Sequence, residues 1–291
     1  MKRFLKWFFI VVAGVIGLLL VVILIVYLVG QSRINGTYEV AAHSIPELPP
    51  DSTVLARGAH LATISFCHEC HGERFEGRTL VDDGAFGLIA ASNLTAGEGG
   101  VGGEYDTDDF ERAIRHGVAS DGRMILAMAS NYFHRYSDDD IAALIAYVKS
   151  ARPVDNAVPE RQMGPIAKLL VGAGQYVPAV LSIDHEEAHV PAPPVGPTAA
   201  YGEYLSQITH CGDCHGPDLK GQTIEGPPPG PDITQTGNPG QWTDTDFYTV
   251  LRTGSTPDGR VLDPSIMPWP QLATLTDTEM QAIWVYLKTL E

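Results

Sequence analysis

The stretch "SFCHECHGERFEG", residues 65 to 77, sets the terms on which the rest of the chain is read. Cys67 and Cys70 stand three positions apart, and His71 follows directly. A pair of this kind admits three chemistries: half of a zinc site, a redox dithiol, or an attachment point for haem. The chain then repeats itself. Residues 201 to 221, "YGEYLSQITHCGDCHGPDLKG", lie over "RGAHLATISFCHECHGERFEG" with a constant offset of 144, pairing Gly58 with Gly202, Cys67 with Cys211, Cys70 with Cys214, His71 with His215 and Gly77 with Gly221.

The histidine separates the readings. A dithiol enzyme needs only the cysteines. Zinc needs four ligands, usually two Cys pairs or a Cys pair with a His pair at fixed spacing, and here two pairs 144 residues apart would have to close one site between two separately folding repeats. C-x-x-C-H is the pattern of covalent c-type haem attachment, in which both thiols add across the haem vinyl groups and the adjacent histidine becomes the proximal iron ligand. Two copies imply two covalently bound haem c groups, with zinc as the weaker alternative. All four cysteines are taken up by the motifs, leaving none for disulfides.

Two domains fit a chain of 291 residues that contains an internal repeat. From Trp7 to Gly30 there is a run of 24 residues without a charge, and a helix of that length covers the ~30 Å hydrocarbon core of a bilayer. A cleaved signal peptide has a shorter apolar region, about 7 to 15 residues, and ends in a small-residue cleavage site. "IVYLVGQSRING" supplies a poor one, which favours an uncleaved anchor. Lys2, Arg3 and Lys6 precede the span and only Arg33 follows closely. By the positive-inside rule this is a single-pass segment of the cell membrane, N-terminus cytoplasmic, with everything from about residue 31 on the periplasmic, extracytoplasmic side. The formal net charge is −16. Nucleic acid, which selects basic surfaces, is excluded as a partner, while an acidic face keeps the protein soluble or steers a basic redox partner.

After its motif each repeat follows one order. "YDTDDFERAIRHGVASDGR" and "WTDTDFYTVLRTGSTPDGR" each predict a short helix with a capped start and a terminal glycine, Gly117 or Gly254. "SDDDIAALIAYVKS" from Ser137 and "TDTEMQAIWVYLKT" from Thr276 predict the closing helices. The second opens on a Thr276/Glu279 capping box. Ile141, Leu144, Ile145 and Val148 form the apolar face of one, and Met280, Ile283, Trp284 and Leu287 that of the other. Neither repeat shows an alternating strand pattern.

A motif helix, a middle helix, a ligand loop and a closing helix resemble the class I cytochrome c fold, over about residues 55 to 152 and 198 to 291. The resemblance implies an all-α chain: one N-terminal transmembrane helix followed by two tandem class I cytochrome c domains. Its parts are an N-terminal membrane anchor at 1–30, an extended linker at 31–54, cytochrome c domain 1 at 55–152, a connector at 153–197 and cytochrome c domain 2 at 198–291. Within the connector, "PAPPVGPT" (191–198) reads as a stiff tether. "GPIAKLLVGAGQYVPAVL" (164–181) is too apolar for a free linker; packing on the first domain is the default, and contact with membrane or a partner subunit the alternative.

The sixth iron ligand divides an electron carrier from an enzyme that binds small molecules at iron. Met267 lies nine residues before the cap Thr276, and the same count back from Ser137 reaches Met128. Met124 misses that alignment by four residues and reads as a core or loop methionine. Met267 is followed by Pro268 and Met128 by Ala129, so the first ligand loop is the less rigid. His60, His116 and His134 pair with Tyr204, Thr253 and Ala273, and His185 and His189 have no counterpart, so these histidines read as packing or surface residues. "SNLT" (92–95) and "PDIT" (231–234) are paired as well. They resemble the loop that holds haem propionates, through Asn93, Thr95, Asp232 or Thr234, or else are turns held by their own Asn and Asp side chains.

The metal ligands are therefore His71, Met128, His215 and Met267, with Cys67, Cys70, Cys211 and Cys214 as the attachment residues. No catalytic residue is identified. The chain resembles membrane-anchored dihaem cytochromes c, which transfer electrons between membrane redox complexes, or from a dehydrogenase, to a terminal acceptor. The resemblance implies protein redox partners: a quinol-oxidising complex, a dehydrogenase, an oxidase or a soluble cytochrome. The protein is then an electron-transfer protein or the cytochrome subunit of an oxidoreductase. A dihaem cytochrome c peroxidase is the alternative.

Overall fold

The computed structural model describes residues 2–187, 191–222 and 230–291; His189 lies outside them. The apolar run forms the body of α1, Lys2–Asn35, which continues past the expected residue 30. Its last turn gains partners: Arg33 Nη1 donates to the Val171 carbonyl at 3.0 Å, and Tyr38 Oη to the Arg33 carbonyl at 2.8 Å. A segment at 36–51 then leads to the first repeat.

That repeat consists of α2 (Ser52–Ile64), the motif helix α3 (Cys67–His71), α4 (Thr107–Glu111) with a π turn at Arg112–His116, α5 (Ser130–Phe133) and α6 (Asp138–Lys149). The connector carries α7 (Pro165–Gly172). The second repeat follows with α8 (Ala199–Ile208), the motif helix α9 (Cys211–His215), α10 (Asp244–Thr253), α11 (Trp269–Leu272) and α12 (Asp277–Leu287). The caps lie where side-chain chemistry places them. Asp106 with Asp109 and Thr243 with Asp246 close capping boxes on α4 and α10, and Thr276 with Glu279 closes one on α12. Gly117 and Gly254 end the middle helices at φ +67° and +70°, where a side chain is disfavoured.

Within each repeat the opening and closing helices cross at a glycine. A Cβ on Gly58 of α2 would stand 2.2 Å from the Ala143 carbonyl of α6, and one on Gly202 of α8 would stand 2.0 Å from the Ala282 carbonyl of α12. Backbone contact at the crossing lets Leu61, Ile64, Ile141, Leu144, Ile145 and Val148 bury completely on one side, and Leu205, Ile208, Met280, Ile283 and Leu287 on the other. Trp284, expected on the buried face of α12, is only half-buried and lies against Phe247, ring centroids 5.4 Å apart.

The fold is mainly helical, but it contains strands where no strand pattern was expected. β1 (Arg78–Asp83) and β2 (Gly87–Ala91) form an antiparallel hairpin, and β3 (Gln162–Met163) pairs with β2. β1 has no fully buried residue and so no alternation to detect. What stabilises the hairpin is its turn, where the Asp83 carboxylate accepts from the amides of Ala85 and Phe86 at 2.8 and 2.9 Å.

The two repeats pack face to face around an approximate two-fold, because each contact recurs with the repeats exchanged. His60 Nε2 meets Glu279 at 2.9 Å, and at the equivalent positions Tyr204 Oη donates to Asp140 at 2.6 Å. Gln271 Nε2 donates to Glu69 at 2.6 Å, and its counterpart Tyr132 lies beside Asp213, the counterpart of Glu69. Phe66 and His210, each the residue before its first motif cysteine, meet one another at 6.1 Å. Arg57 spans the centre, bidentate to Asp140 at 2.8 Å and reaching Glu279 at 3.5 Å. Asp140 and Glu279 are thus buried carboxylates that bind the opposite repeat, and Glu279 caps its own helix as well.

Burial alone would raise the Glu279 carboxyl, but the hydrogen bonds from His60 and from Thr276 outweigh it and hold the group down to about 2. A carboxyl depressed in the folded state stabilises it fully above the ordinary carboxylate range, and that contribution fades as pH falls from about 4.5 towards 2. Glu279→Gln keeps the capping box and removes the charge. Urea titration of the wild type should show its midpoint falling steeply across that window. The variant should lose about 2 kcal/mol at pH 7 and show a flatter acid limb; an unchanged midpoint at pH 7 would mean that the carboxylate does not hold the repeats together.

Candidate functional site

Each motif helix begins after a residue forced into the left-handed region, Phe66 at φ +60° and His210 at φ +58°, a conformation uncommon for non-glycine residues. This sharp corner between α2 and α3, and again between α8 and α9, turns the cysteines into the repeat. Cys67 and Cys211 pack against the core. The histidine that ends each helix is then locked by the loop that follows. His71 Nδ1 donates to the Ser92 carbonyl at 2.8 Å, and His215 Nδ1 to the Pro231 carbonyl at 2.8 Å. With Nδ1 so engaged, the coordinating lone pair of each imidazole is on Nε2.

The carbonyls come from the paired segments 92–95 and 231–234, and the structure shows how those segments hold their shape. The Thr95 amide donates to Asn93 Oδ1 at 3.0 Å, and the Thr234 amide to Asp232 Oδ1 at 2.7 Å. Asn93 Nδ2 also donates to the Val154 carbonyl at 2.7 Å. Asp232 is therefore spent inside its own turn and Asn93 on its turn and the connector, and the backbone of the preceding residue is what faces the histidine. Sequence reading found these segments through their recurrence but not this use of their carbonyls.

Electrostatics at the motifs fits covalent attachment and not dithiol redox chemistry. Burial, with Cys70 alongside, pushes the Cys67 thiol up to about 12, and burial raises Cys211 too. Redox dithiols need the opposite shift, since the thiolate is the reactive form. Burial lowers His71 and His215 against the opposing effect of their carbonyl partners, so both imidazoles are neutral and able to bind iron at neutral pH. All four cysteines are free of disulfides. Among the described residues no group of three or more His, Cys, Asp or Glu is arranged to hold a metal ion. Two thiols and a neutral imidazole with its Nδ1 already satisfied are the donor set that haem c requires, and each repeat presents one.

Met128 and Met267 are half-buried and pack against the core that includes Cys67 and Cys211. Met124 is in a different place. Only 2% exposed, it belongs to a separate cluster with Ile34 of α1, Val118, Leu126, Val171 and Val180. Its counterpart by strand pairing, Val261, is 70% exposed, so the buried methionine belongs to the contact with α1 that only the first repeat makes. The two ligand loops are fastened by different means. Trp269 Nε1 donates to the Leu262 carbonyl at 3.1 Å, whereas the loop lacking the proline is held from the connector, by the Tyr176 hydroxyl on the Leu126 carbonyl.

The remaining histidines are engaged elsewhere. His60 holds Glu279 across the two repeats. His116 Nδ1 lies 2.9 Å from His185 Nδ1, and its ring packs on those of His43 and His134 at 5.4 and 5.5 Å, tying the 36–51 segment, the π turn and the connector together. Residues 115 and 116 sit in that turn with no exposed surface. The failure of His116 and His134 to recur at Thr253 and Ala273 sets them apart from the motif histidines, but a cluster assembled from four distant segments has no local sequence signal.

Comparison with known proteins agrees with this geometry. The family profile described as "Cytochrome c" matches residues 55–152 and 199–291. The chain is 28% identical over 265 residues to the fructose dehydrogenase cytochrome subunit of Gluconobacter japonicus, covering 81% of this chain and 52% of that protein. It is 27% identical over 295 residues to the cytochrome c subunit of the quinone alcohol dehydrogenase of Gluconacetobacter polyoxogenes, covering 89% and 62%. With the gluconate 2-dehydrogenase cytochrome c subunit of Pantoea cypripedii it shares 32% identity over 178 residues, 57% of this chain and 39% of that protein. The chain thus spans about half the length of the curated relatives it matches. Two motif helices with pinned histidines, in two matched regions that cover more than half of the sequence, show that the chain belongs to the cytochrome c family and that its domains are of the kind that binds haem c covalently.

Proposed function

We propose that the chain is a membrane-anchored dihaem electron-transfer subunit that accepts electrons from a dehydrogenase and passes them to a further redox protein. The observation that carries this reading is the duplicated Nδ1 lock on His71 and His215, with Met128 and Met267 packed against the core that also takes Cys67 and Cys211. Haem c bound at these residues supplies one-electron exchange between Fe(III) and Fe(II). Cys67, Cys70, Cys211 and Cys214 would hold it covalently, His71 and His215 would bind its iron through Nε2, and Met128 and Met267 would supply a second, thioether ligand in each repeat. Thioether ligation favours the reduced state and keeps small molecules away from the metal.

Relatives named as cytochrome subunits of fructose, alcohol and gluconate dehydrogenases support a dehydrogenase as donor and give the peroxidase alternative no support. The reciprocal interface brings the starts of the two motif helices together at Phe66 and His210, so the electron path between the repeats is short. α1, long and apolar enough to cross a bilayer, anchors the pair with its N-terminus in the cytoplasm and the repeats outside. The acidic surface, part of a net charge of −16, attracts a basic partner for short-lived contact.

Two outcomes follow. In wild type, carbon monoxide should leave the reduced absorption spectrum unchanged, while Met128→Ala and Met267→Ala should each create one binding equivalent and lower the midpoint potential of one haem. Met124→Ala should bind none and cost about 3 kcal/mol of stability through its cavity. Full stoichiometric binding by the wild type at one haem would revive peroxidase chemistry, and binding by the Met124 variant would reassign the first ligand. Separately, extraction of source membranes in mild detergent should recover the chain with a dehydrogenase whose substrate reduces it. Recovery with no substrate-reducible partner would contradict the assignment of the donor.

A further inference from the structure

The connector helix α7 does not pack on the first repeat alone, as the default reading had it. It lies antiparallel against the outer end of α1. A Cβ on Gly30 would stand 1.8 Å from the Lys168 carbonyl, and one on Gly172 would stand 1.9 Å from the Val26 carbonyl, so the two backbones touch through their glycines. Close approach through small residues is how helices associate inside a bilayer. Because α7 runs antiparallel to α1, it descends along it, and Gly172 reaches the level of Val26.

Val26 lies within the uncharged run of α1. Counted from Lys6, the last charge before that run, it is 20 residues on, which at ~1.5 Å per residue is about the 30 Å thickness of the hydrocarbon core. The end of α7 therefore sits at the outer hydrocarbon boundary. Its composition suits that depth: across residues 162–183 Lys168 is the single charged side chain, in a protein otherwise strongly acidic. The Lys168 ammonium turns back to α1, 3.2 Å from Tyr27 Oη and 5.2 Å from the centre of that ring. Beyond Gly172 the chain exposes Tyr176, Val177 and Leu181, at 44, 51 and 38%. The hairpin tip adds Phe86, fixed beside the start of α7 by Gly164 and Ile166 amides that donate to the carbonyls of Phe86 and Ala85 at 2.8 and 3.0 Å.

We propose that α7 and the loop 173–181 form a second membrane contact, with Tyr176, Val177 and Leu181 seated in the headgroup and upper acyl region of the outer leaflet, where they set the height and tilt of the first repeat over the bilayer. The inference rests on α1 crossing the membrane. Lipid is the occupant, because this face is continuous with the exposed apolar surface of α1, including Ile25, Leu28 and Val29, and because its tyrosines lie at the boundary where aromatic side chains gather.

The test uses the full chain, carrying its haems, in vesicles of phosphatidylcholine and phosphatidylglycerol. Val177→Cys, Leu18→Cys and Ser150→Cys are each labelled with a nitrobenzoxadiazole fluorophore, and wild type serves as the unlabelled control. Lipids bearing a shallow or deep nitroxide report contact with the bilayer, and aqueous iodide reports contact with solvent. The label at 177 should be quenched several-fold more by shallow-nitroxide lipid than by iodide, that at 150 the reverse, and that at 18 by the deep nitroxide. Iodide quenching at 177 equal to that at 150, with residue 18 still in lipid, overturns the second contact and leaves the anchor intact. Protection of 177 from both quenchers overturns it in favour of a protein surface. An aqueous label at 18 removes the anchor reading and this inference with it.

Discussion

One hydrogen bond in each repeat, from a histidine Nδ1 to the carbonyl of Ser92 or Pro231 at 2.8 Å, is the constraint on which the rest of the structure depends. It ties a five-residue helix that could not persist alone to a loop that is itself held by an Asx turn. It also fixes the tautomer, so that the nitrogen left over is the one suited to iron. The corner at Phe66 or His210 starts the helix that carries this imidazole, and the glycine crossing sets the opening helix on the closing one. Domains of under 100 residues bury little apolar surface of their own, which is why so much of each repeat is organised around a bound group.

The interface between the repeats adds a second level. Glu279 closes the capping box of α12, a role any isolated helix would use, and Asp140 stands at the same place in the first turn of α6, which Ser137 caps. In the assembled chain the same carboxylates accept from Tyr204 and His60 of the opposite repeat, and Arg57 reaches both. A duplicated domain has in this way turned the first turns of its own closing helices into a docking surface, and the polar groups there are paired rather than left buried and unsatisfied. The result places the two motif corners in contact.

Much of this was legible in the sequence because it repeats. The offset of 144 located both motifs, and the cap of α12 could be read directly from Thr276/Glu279. The interface was not legible, because its paired positions differ in kind: Arg57 faces the role of Tyr201, and His60 that of Tyr204. Non-recurrence set His60 aside as an iron ligand, yet gave no sign that these positions share a function. The hairpin at 78–91 was missed because its stability comes from the Asp83 turn and not from a buried face. The four-histidine cluster and the packing of α7 on α1 depend on contacts across more than a hundred residues, as between Gly30 and Lys168, and no local pattern encodes them.

Function follows from the two motifs being used for the same purpose. That is tested most directly by the mass of the intact chain after denaturation and acid–acetone extraction, with the modified peptides then mapped. The account predicts that two haems remain attached, one on the peptide holding Cys67 and Cys70 and one on that holding Cys211 and Cys214. A chain that sheds all its haem and presents four free thiols would contradict it.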